Sequence, residues 1–342
     1  MAQPDPGRRE NADSRPGETF SLFVTRVLDQ LSISSWLPAI MVVCNLAFIF
    51  QLRSQHNYDI GQAITSLTAK PLGILIVLLL SIIVTSVMTQ AFEFEIIRLF
   101  EGYWGSANLL NGLSKMRTNR HAKRLEWLKK RYQEYFRQAF IQAREEMLDK
   151  KVDRDIVEIL DKQRRGEPVD NHDSARVADA TQLGWERFAS PELLRRMNAI
   201  DSRIKEYPSP HRTLPTRLGN TLRSSEDRLH LEPHEILEDF VRNRYEQMNP
   251  ELKIKHDESR SRLNIYCMLA FIFSALAIVS PVVLVHRGTD LAGGVTFTVV
   301  YVILAVVSYQ AAITSTRNYI SVLRAIDSRS SPGGQAKIAR PS

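Results

Sequence analysis

Residues 71–92 read PLGILIVLLLSIIVTSVMTQAF, a run without a single charged side chain. A helix needs about 20 predominantly apolar residues to cross the hydrocarbon core of a bilayer. Two further runs of this kind occupy residues 265–285 and 294–316, and a shorter one occupies residues 35–51. Core helices of soluble proteins rarely stay uncharged over such lengths. The pattern therefore predicts four membrane-spanning helices.

These runs divide the chain into segments. No run of alternating β-branched residues interrupts the helical periodicity, so the sequence predicts an all-α fold. The predicted segments are a disordered tail (1–18), an interfacial amphipathic helix (19–32), a first transmembrane hairpin (33–93), a helical cytosolic sensor domain (94–262), a second transmembrane hairpin (263–316) and a C-terminal cytosolic tail (317–342).

The basic residues predict the orientation of the spans. The short connections 53–70 and 286–293 hold few Lys or Arg residues, whereas both tails hold several. Because cytoplasmic loops carry the excess of Lys and Arg, both termini and the middle domain are expected in the cytosol.

Composition excludes several functional classes. Residues 94–262 hold 33 Lys and Arg against 29 Asp and Glu, which is no basic stripe, and no duplex nucleic acid is expected as a partner. Cys44 and Cys267 both lie in predicted spans, so neither a disulfide framework nor a cysteine metal site is expected. His230, Glu232 and His234 are spaced so that a helix would spread them around its axis. With no phosphate-binding loop or nucleophile motif either, no enzyme, metal or cofactor is predicted.

The most informative polar stretch is LPTRLGNTLRSSEDR at residues 214–228. Two interpretations stay open. Its arginines and its glycine-led turn are suited to a phosphate, because Arg offers bidentate donors and such a turn exposes backbone N–H groups. Alternatively, a polar side chain caps a helix and the charged residues pair around it. The candidate ligand-binding residues are Thr216, Arg217, Asn220, Arg223 and Arg228.

This stretch, together with SYQAAITSTRNYISVLRAIDSR at residues 308–329, resembles a family of bacterial four-span membrane proteins with a PTRLGN-x-LR-x-x-EDR cytosolic motif. Thr314 and Thr316 depart from the second pattern of that family, which has alanine there. The resemblance implies a multi-pass protein of the bacterial inner membrane and supplies no function. The layout is also similar to that of membrane effectors of antiphage systems, in which a cytosolic sensor gates a membrane part.

Polar side chains inside two spans form the second candidate site. Counted along the chain, the second and fourth predicted spans each carry three polar side chains on one helical face. These lie near the end of the span that is predicted to be cytosolic, and the last of the three directly follows the apolar run. The candidate pore-lining residues are Ser86, Gln90, Glu93, Gln310 and Thr314, and the sixth residue, Arg317, is a candidate ion-pair partner of Glu93. Such groups need partners or water in apolar surroundings, which is compatible with helix packing, with a pore between subunits or with a carrier.

Two functions from different classes follow. The first is a homo-oligomeric channel or pore effector in membrane lipid, gated by a nucleotide or oligonucleotide that binds the middle domain. The alternative is a non-conducting scaffold, in which a long helix predicted at about residues 120–151 recruits a cytosolic partner.

Overall fold

The computed structural model describes residues 33–54, 60–68, 71–104, 108–168, 174–229, 237–246, 248–285 and 291–330. Helices form 89% of these residues, and no β-strand occurs among them, which confirms the predicted all-α fold. In chain order the α-helices are α1 (Ile33–Ser54), α2 (Ile60–Thr68), α3 (Leu72–Glu101), α4 (Asn108–Asp149), α5 (Arg154–Arg165), α6 (Ser174–Leu183), α7 (Pro191–Ile204), α8 (Arg217–Glu226), α9 (Leu237–Tyr245), α10 (Pro250–Val285) and α11 (Leu291–Ser330).

Four of these helices are long and apolar enough to cross a bilayer. Their spans are Trp36–Ser54 in α1, Gly73–Glu101 in α3, Pro250–Leu284 in α10 and Gly293–Ser328 in α11. The chain is accordingly a multi-pass membrane protein. At about 1.5 Å per residue, α11 is about 60 Å long, twice the thickness of the apolar core of a bilayer. Its last turns therefore extend beyond that core.

The chain separates into two compact units. Unit 1 comprises Met1–Arg98 and Met248–Val322, and unit 2 comprises Leu99–Gln247 and Leu323–Ser342. Both boundaries that fall within helices lie in α3 and α11, so each of these helices contributes residues to both units. The cytosolic placement of residues 94–262 stays a prediction. The predicted tail 1–18 and interfacial helix 19–32 lie outside the described residues.

In unit 1, α10 is the central span. Half of its apolar window is buried, against 6% of the α3 window. The core packs α1, α10 and α11 around Phe273, Leu276 and Tyr301. The Tyr301 hydroxyl donates to Asn45 Oδ1 at 2.9 Å, and Asn45 Nδ2 donates to the Met41 carbonyl at 2.7 Å. Hydrocarbon offers these polar groups no partner, so the hydrogen bonds fix how α1 and α11 pack.

In unit 2, α4 provides the platform on which the shorter helices pack. Its apolar stripe recurs every three or four residues, and the buried members are Leu125, Leu128, Ala139, Ala143 and Met147. The Trp185 ring, in the 3-10 turn Trp185–Phe188, lies 5.2 Å from the Phe136 ring and 5.7 Å from the Phe140 ring, measured between centroids. Trp185 also packs against the cluster of Ala139 and Ala143, so it covers part of the stripe.

The start of α4 differs from the prediction. α4 begins at Asn108 and not near residue 120, because an existing helix extends at little cost and a single Gly112 does not stop it. Further along, α5 continues to Arg165 and α6 begins at Ser174. Gly166, with φ of 70°, ends α5 in the left-handed conformation that glycine adopts most readily.

Candidate functional site

The candidate motif forms α8 and the turn before it. Thr216 is the N-cap, with φ of −119° and ψ of 152°, and its side chain accepts a hydrogen bond from the Gly219 N–H at 3.1 Å. This bond satisfies one of the backbone donors that a helix leaves without an internal partner in its first turn. Thr216 therefore has the capping role that one interpretation of the sequence gave to a polar side chain of this segment.

The same hydroxyl holds the end of α3. Thr216 Oγ1 donates to the Glu101 carbonyl at 2.8 Å, across 115 positions of the chain. A Cβ on Gly219 would lie 1.9 Å from that carbonyl oxygen, so only glycine permits this approach. Gly102 has φ of +103°, and a Cβ there would lie 2.8 Å from the Pro215 ring. We name the group of Glu101, Gly102, Pro215, Thr216 and Gly219 the α3–α8 joint.

Asn220 closes the turn that leads into α8. Its side chain is 1% exposed. Asn220 Oδ1 accepts from the Leu214 N–H at 2.7 Å, and Asn220 Nδ2 donates to the Leu214 carbonyl at 2.9 Å. An amide that pairs with both backbone groups of one residue fixes that residue's orientation, and its burial makes the pairing costly to lose. The structure therefore assigns Asn220 a structural contact.

The three arginines of the motif all contact protein groups. Arg217 donates from Nε and from a terminal nitrogen to Glu206 Oε2, at 3.2 and 2.9 Å. Arg223 donates to the Tyr103 hydroxyl at 2.8 Å, and its guanidinium lies 5.5 Å from the centre of the Tyr103 ring. Arg228 donates to the Lys205 carbonyl.

The electrostatics around Arg228 are unusual for an arginine. Partial burial lowers its pKa first, and the positive charge of Arg324 lowers it further, while Asp201 and Asp227 act in the opposite direction. Arg223 has a related feature, because its Nε atom is buried and has no hydrogen-bond acceptor among the described residues. Arg217 already pairs with the Glu206 carboxylate, so Arg223 and Arg228 are the better candidates for contact with an added anion. Ligand binding by the motif stays a prediction.

Sequence reasoning missed the residues that anchor the other end of α8. Arg212 donates to Glu226 Oε2 at 2.8 Å and also contacts the Asp227 carboxylate. Asp227 Oδ2 accepts from the Ser209 N–H at 2.7 Å and from the Ser209 hydroxyl at 2.9 Å. Partial burial raises the pKa of Asp227, but the Ser209 hydrogen bonds and the Arg212 charge outweigh it, so this pKa lies below its ordinary value. The conspicuous Ser-Pro-His-Arg segment after Tyr207 was the available signal.

The predicted pore-lining residues differ in their surroundings. Ser86 is fully buried, and its hydroxyl has no hydrogen-bond partner among the described residues. Gln90, Gln310 and Thr314 are exposed, and the Thr314 hydroxyl donates back to the Gln310 carbonyl at 3.1 Å. The structure does not bring the whole set into one cluster, and the lining of a pore stays a prediction.

Glu93 belongs to a polar group that the sequence analysis did not find. Its carboxylate accepts from Asn264 Nδ2. Arg260, one turn before Asn264, donates to the Tyr319 hydroxyl at 3.3 Å, and His256 Nε2 lies 3.4 Å from that hydroxyl. The spacing of four between the α10 members was the available signal, because it places them on one helical face. The predicted ion pair between Glu93 and Arg317, which is exposed, stays a prediction.

No metal centre is evident in the part of the chain that the structure describes. The described residues contain no group of three or more His, Cys, Asp or Glu side chains that could hold an ion. His230, Glu232 and His234 lie outside the described residues.

Comparison with known proteins adds no relative. No protein-family model matches the chain, and no curated protein or solved structure is significantly similar to it.

Proposed function

We propose that the chain is a homo-oligomeric channel or pore effector of the bacterial inner membrane, and that unit 2, in the cytosol, controls whether it is open. The observation that carries this proposal is the state of α3. Only 6% of its apolar window is buried, and its C-terminal end is held in the α3–α8 joint. A span that is loosely packed yet firmly held at one end can move between two positions, as a gate requires.

Exposed amide side chains on two spans support the proposal that the protein conducts ions. Gln90 and Gln310 each lie 17 residues after the first residue of their span, about 26 Å along the helix and so within a core of about 30 Å. Both side chains are exposed in the single chain. An amide in hydrocarbon is costly unless water or another polar group reaches it. A neighbouring subunit or a water-filled path between subunits meets that need.

The signal that we propose is a nucleotide or oligonucleotide. Arg223 and Arg228 are the candidate contacts, because one has a buried donor without an acceptor and the other faces a second arginine charge. A phosphate at either guanidinium group would balance its charge and accept its N–H donors. Arg223 also touches Tyr103, which follows the joint directly, so binding there has a short route to Glu101.

A flux assay on purified protein tests the proposal. The protein is reconstituted in liposomes loaded with K⁺, and efflux is measured alone and with ATP, GTP or a cyclic dinucleotide on both faces. We expect ligand-dependent efflux, and Gln90→Glu should raise cation over anion selectivity because it adds negative charge to the path. The same change at the exposed Gln138, in α4, is the control and should leave selectivity unchanged. Absence of efflux under every condition would refute the channel.

One observation favours the scaffold as a second candidate. α4 exposes four large apolar side chains at multiples of seven residues, which are Leu113 (42% exposed), Trp127 (53%), Ile141 (49%) and Leu148 (39%). Residues seven apart lie within about 20° of one another around a helix, and such a stripe fits a partner helix that winds along it. The test compares cells that carry the parent chain with cells that carry Trp127→Ser/Ile141→Ser. If the double variant loses the effect that the parent has on cells, and the purified parent shows no efflux, the scaffold and not the channel is supported.

A further inference from the structure

Unit 1 contains an apolar cavity among three of its spans. The cavity has a volume of about 490 Å³, is lined by α1, α3 and α10, and is open on one side. Its walls include Leu46 from α1, Met88 and Phe92 from α3, and Met268 and Ala275 from α10. Cavities of about 300–1,000 Å³ are the usual size of small-molecule sites.

We infer that this cavity binds one acyl chain of a bilayer phospholipid. All of the lining residues lie within the predicted membrane spans of their helices, so the surrounding solvent is hydrocarbon and not water. An apolar void without polar partners does not hold water. If the cavity were empty, the side chains along its walls would also lose dispersion contacts. A lipid chain is the apolar molecule present at high concentration on that side of the protein.

The chemistry of the wall supports a chain over a polar ligand. Apart from two threonines, every lining residue is aliphatic, aromatic or methionine. The Thr89 hydroxyl donates to the Ser86 carbonyl at 2.9 Å, so its proton is engaged within its own helix. Met88 of α3 and Met268 of α10 both line the cavity. Methionine side chains are flexible, so they adapt to an acyl chain of variable conformation.

The position of the site links it to α3. Five of its lining residues, Thr85, Met88, Thr89, Phe92 and Ile96, come from this helix, which is otherwise scarcely buried. A chain in the cavity therefore covers a large part of the inward face of α3. Binding and release of the lipid change how firmly that span is held in unit 1, whether or not the protein conducts ions.

A photo-crosslinking experiment tests the site on the full chain. The protein is reconstituted in vesicles of phosphatidylethanolamine and phosphatidylglycerol that carry a trace of phospholipid with a diazirine on one acyl chain. After illumination, labelled peptides are mapped by mass spectrometry. We expect labelling to be concentrated on Met88 and Met268.

Paired variants on α10 separate a site from ordinary lipid contact. Ala275→Phe/Val279→Phe obstructs the cavity, whereas Ile278→Phe/Val282→Phe changes positions that are 71% and 69% exposed and do not line it. We expect the first pair to lower labelling of the two methionines at least fivefold and the second to leave it unchanged. Both variants should elute as the same oligomer as the parent.

Three outcomes overturn the inference. Equal labelling in both pairs would mean that the methionines contact lipid without a site. Crosslinks from the cavity to a second copy, or to residues 19–32 of the same chain, would mean that protein fills the space. If Ala275→Phe/Val279→Phe elutes differently from the parent, native mass spectrometry of the parent decides the question instead. Absence of retained phospholipid after mild delipidation overturns the inference.

Discussion

Gly219→Ala is the sharpest test of the α3–α8 joint. The added Cβ would lie 1.9 Å from the Glu101 carbonyl oxygen and 2.9 Å from Leu214 Cδ1. The oxygen belongs to backbone, so it cannot rotate away as a side chain would. Relief requires α8 and the end of α3 to separate by about 1 Å, which costs about 1–3 kcal/mol by analogy with overpacked cores.

Two further contributions enter the magnitude. Separation breaks the hydrogen bond from Thr216 to Glu101, worth about 1 kcal/mol. Alanine in a helix is favoured over glycine by about 1 kcal/mol, which offsets that loss. The expected net destabilisation is about 2 kcal/mol, or about 4–8 °C in melting temperature on the scale of domains of 150–250 residues.

The assay is thermal unfolding in mild detergent, followed by tryptophan fluorescence, with Gly112→Ala as the control. Gly112 lies in α4, and a Cβ there would meet nothing within 4 Å. The control should melt about 2 °C or more above the parent, because only the helix-propensity gain applies. Equal stabilisation of both variants would show that Gly219 does not closely approach the Glu101 carbonyl. The contacts described for the α3–α8 joint would then be refuted.

Three other perturbations have definite expected results. Asn220→Ala should destabilise the protein by about 2–4 kcal/mol, because it orphans both backbone groups of Leu214 in a buried site; denaturant unfolding measures this. Arg217→Gln should cost under about 1 kcal/mol in the same assay, because the ion pair with Glu206 is 41% exposed on the arginine side and water screens it. Burial first, then neighbouring arginines, lower the pKa of His121, so the fold holds it neutral. Its contribution is complete above the unfolded pKa of about 6.5 and is lost as pH falls through the lower folded pKa, so His121→Gln should flatten the decline in melting temperature between pH 7 and pH 5.

Each of these has a result that contradicts it. An Asn220→Ala variant as stable as the parent would show that the turn does not depend on the amide. A large loss in Arg217→Gln would mean that the guanidinium holds more than the Glu206 carboxylate. In the structure, His121 Nδ1 lies 3.2 Å from the Tyr207 hydroxyl, and this hydrogen bond holds the ring in its buried position. An unchanged dependence of melting temperature on pH in the His121 variant would show that the ring is not held there.

The predictable part of the fold rests on periodicity. Apolar runs of about 20 residues specify spans without reference to any partner, and the α4 stripe, from Leu125 to Met147, is buried because a repeat of threes and fours allows one inward face. Helix ends were less accurate. Asn108–Arg120 carry no strong apolar pattern, and only their continuity with a stable helix keeps them helical.

The contacts of the site could not be read from spacing, because most join distant positions. The pairing of Thr216 with Glu101 spans 115 positions, and that of Asn264 with Glu93 spans 171. The sequence identified Arg217 as a charged side chain but not its partner, since Glu206 is one of many nearby carboxylates. Gly219 was interpreted as leading a turn that exposes backbone N–H groups, whereas it lies in a helix and provides room for a carbonyl.

The distance in sequence between Thr216 and Glu101 has a consequence for biosynthesis. When the second span leaves the ribosome, the hydroxyl that completes its final turn has not been translated. At about 5–20 residues per second, the remaining 115 positions take about 6–23 s. For that interval the nascent chain inserts with an unfinished helix end, and truncated products that stop before position 216 can never complete it.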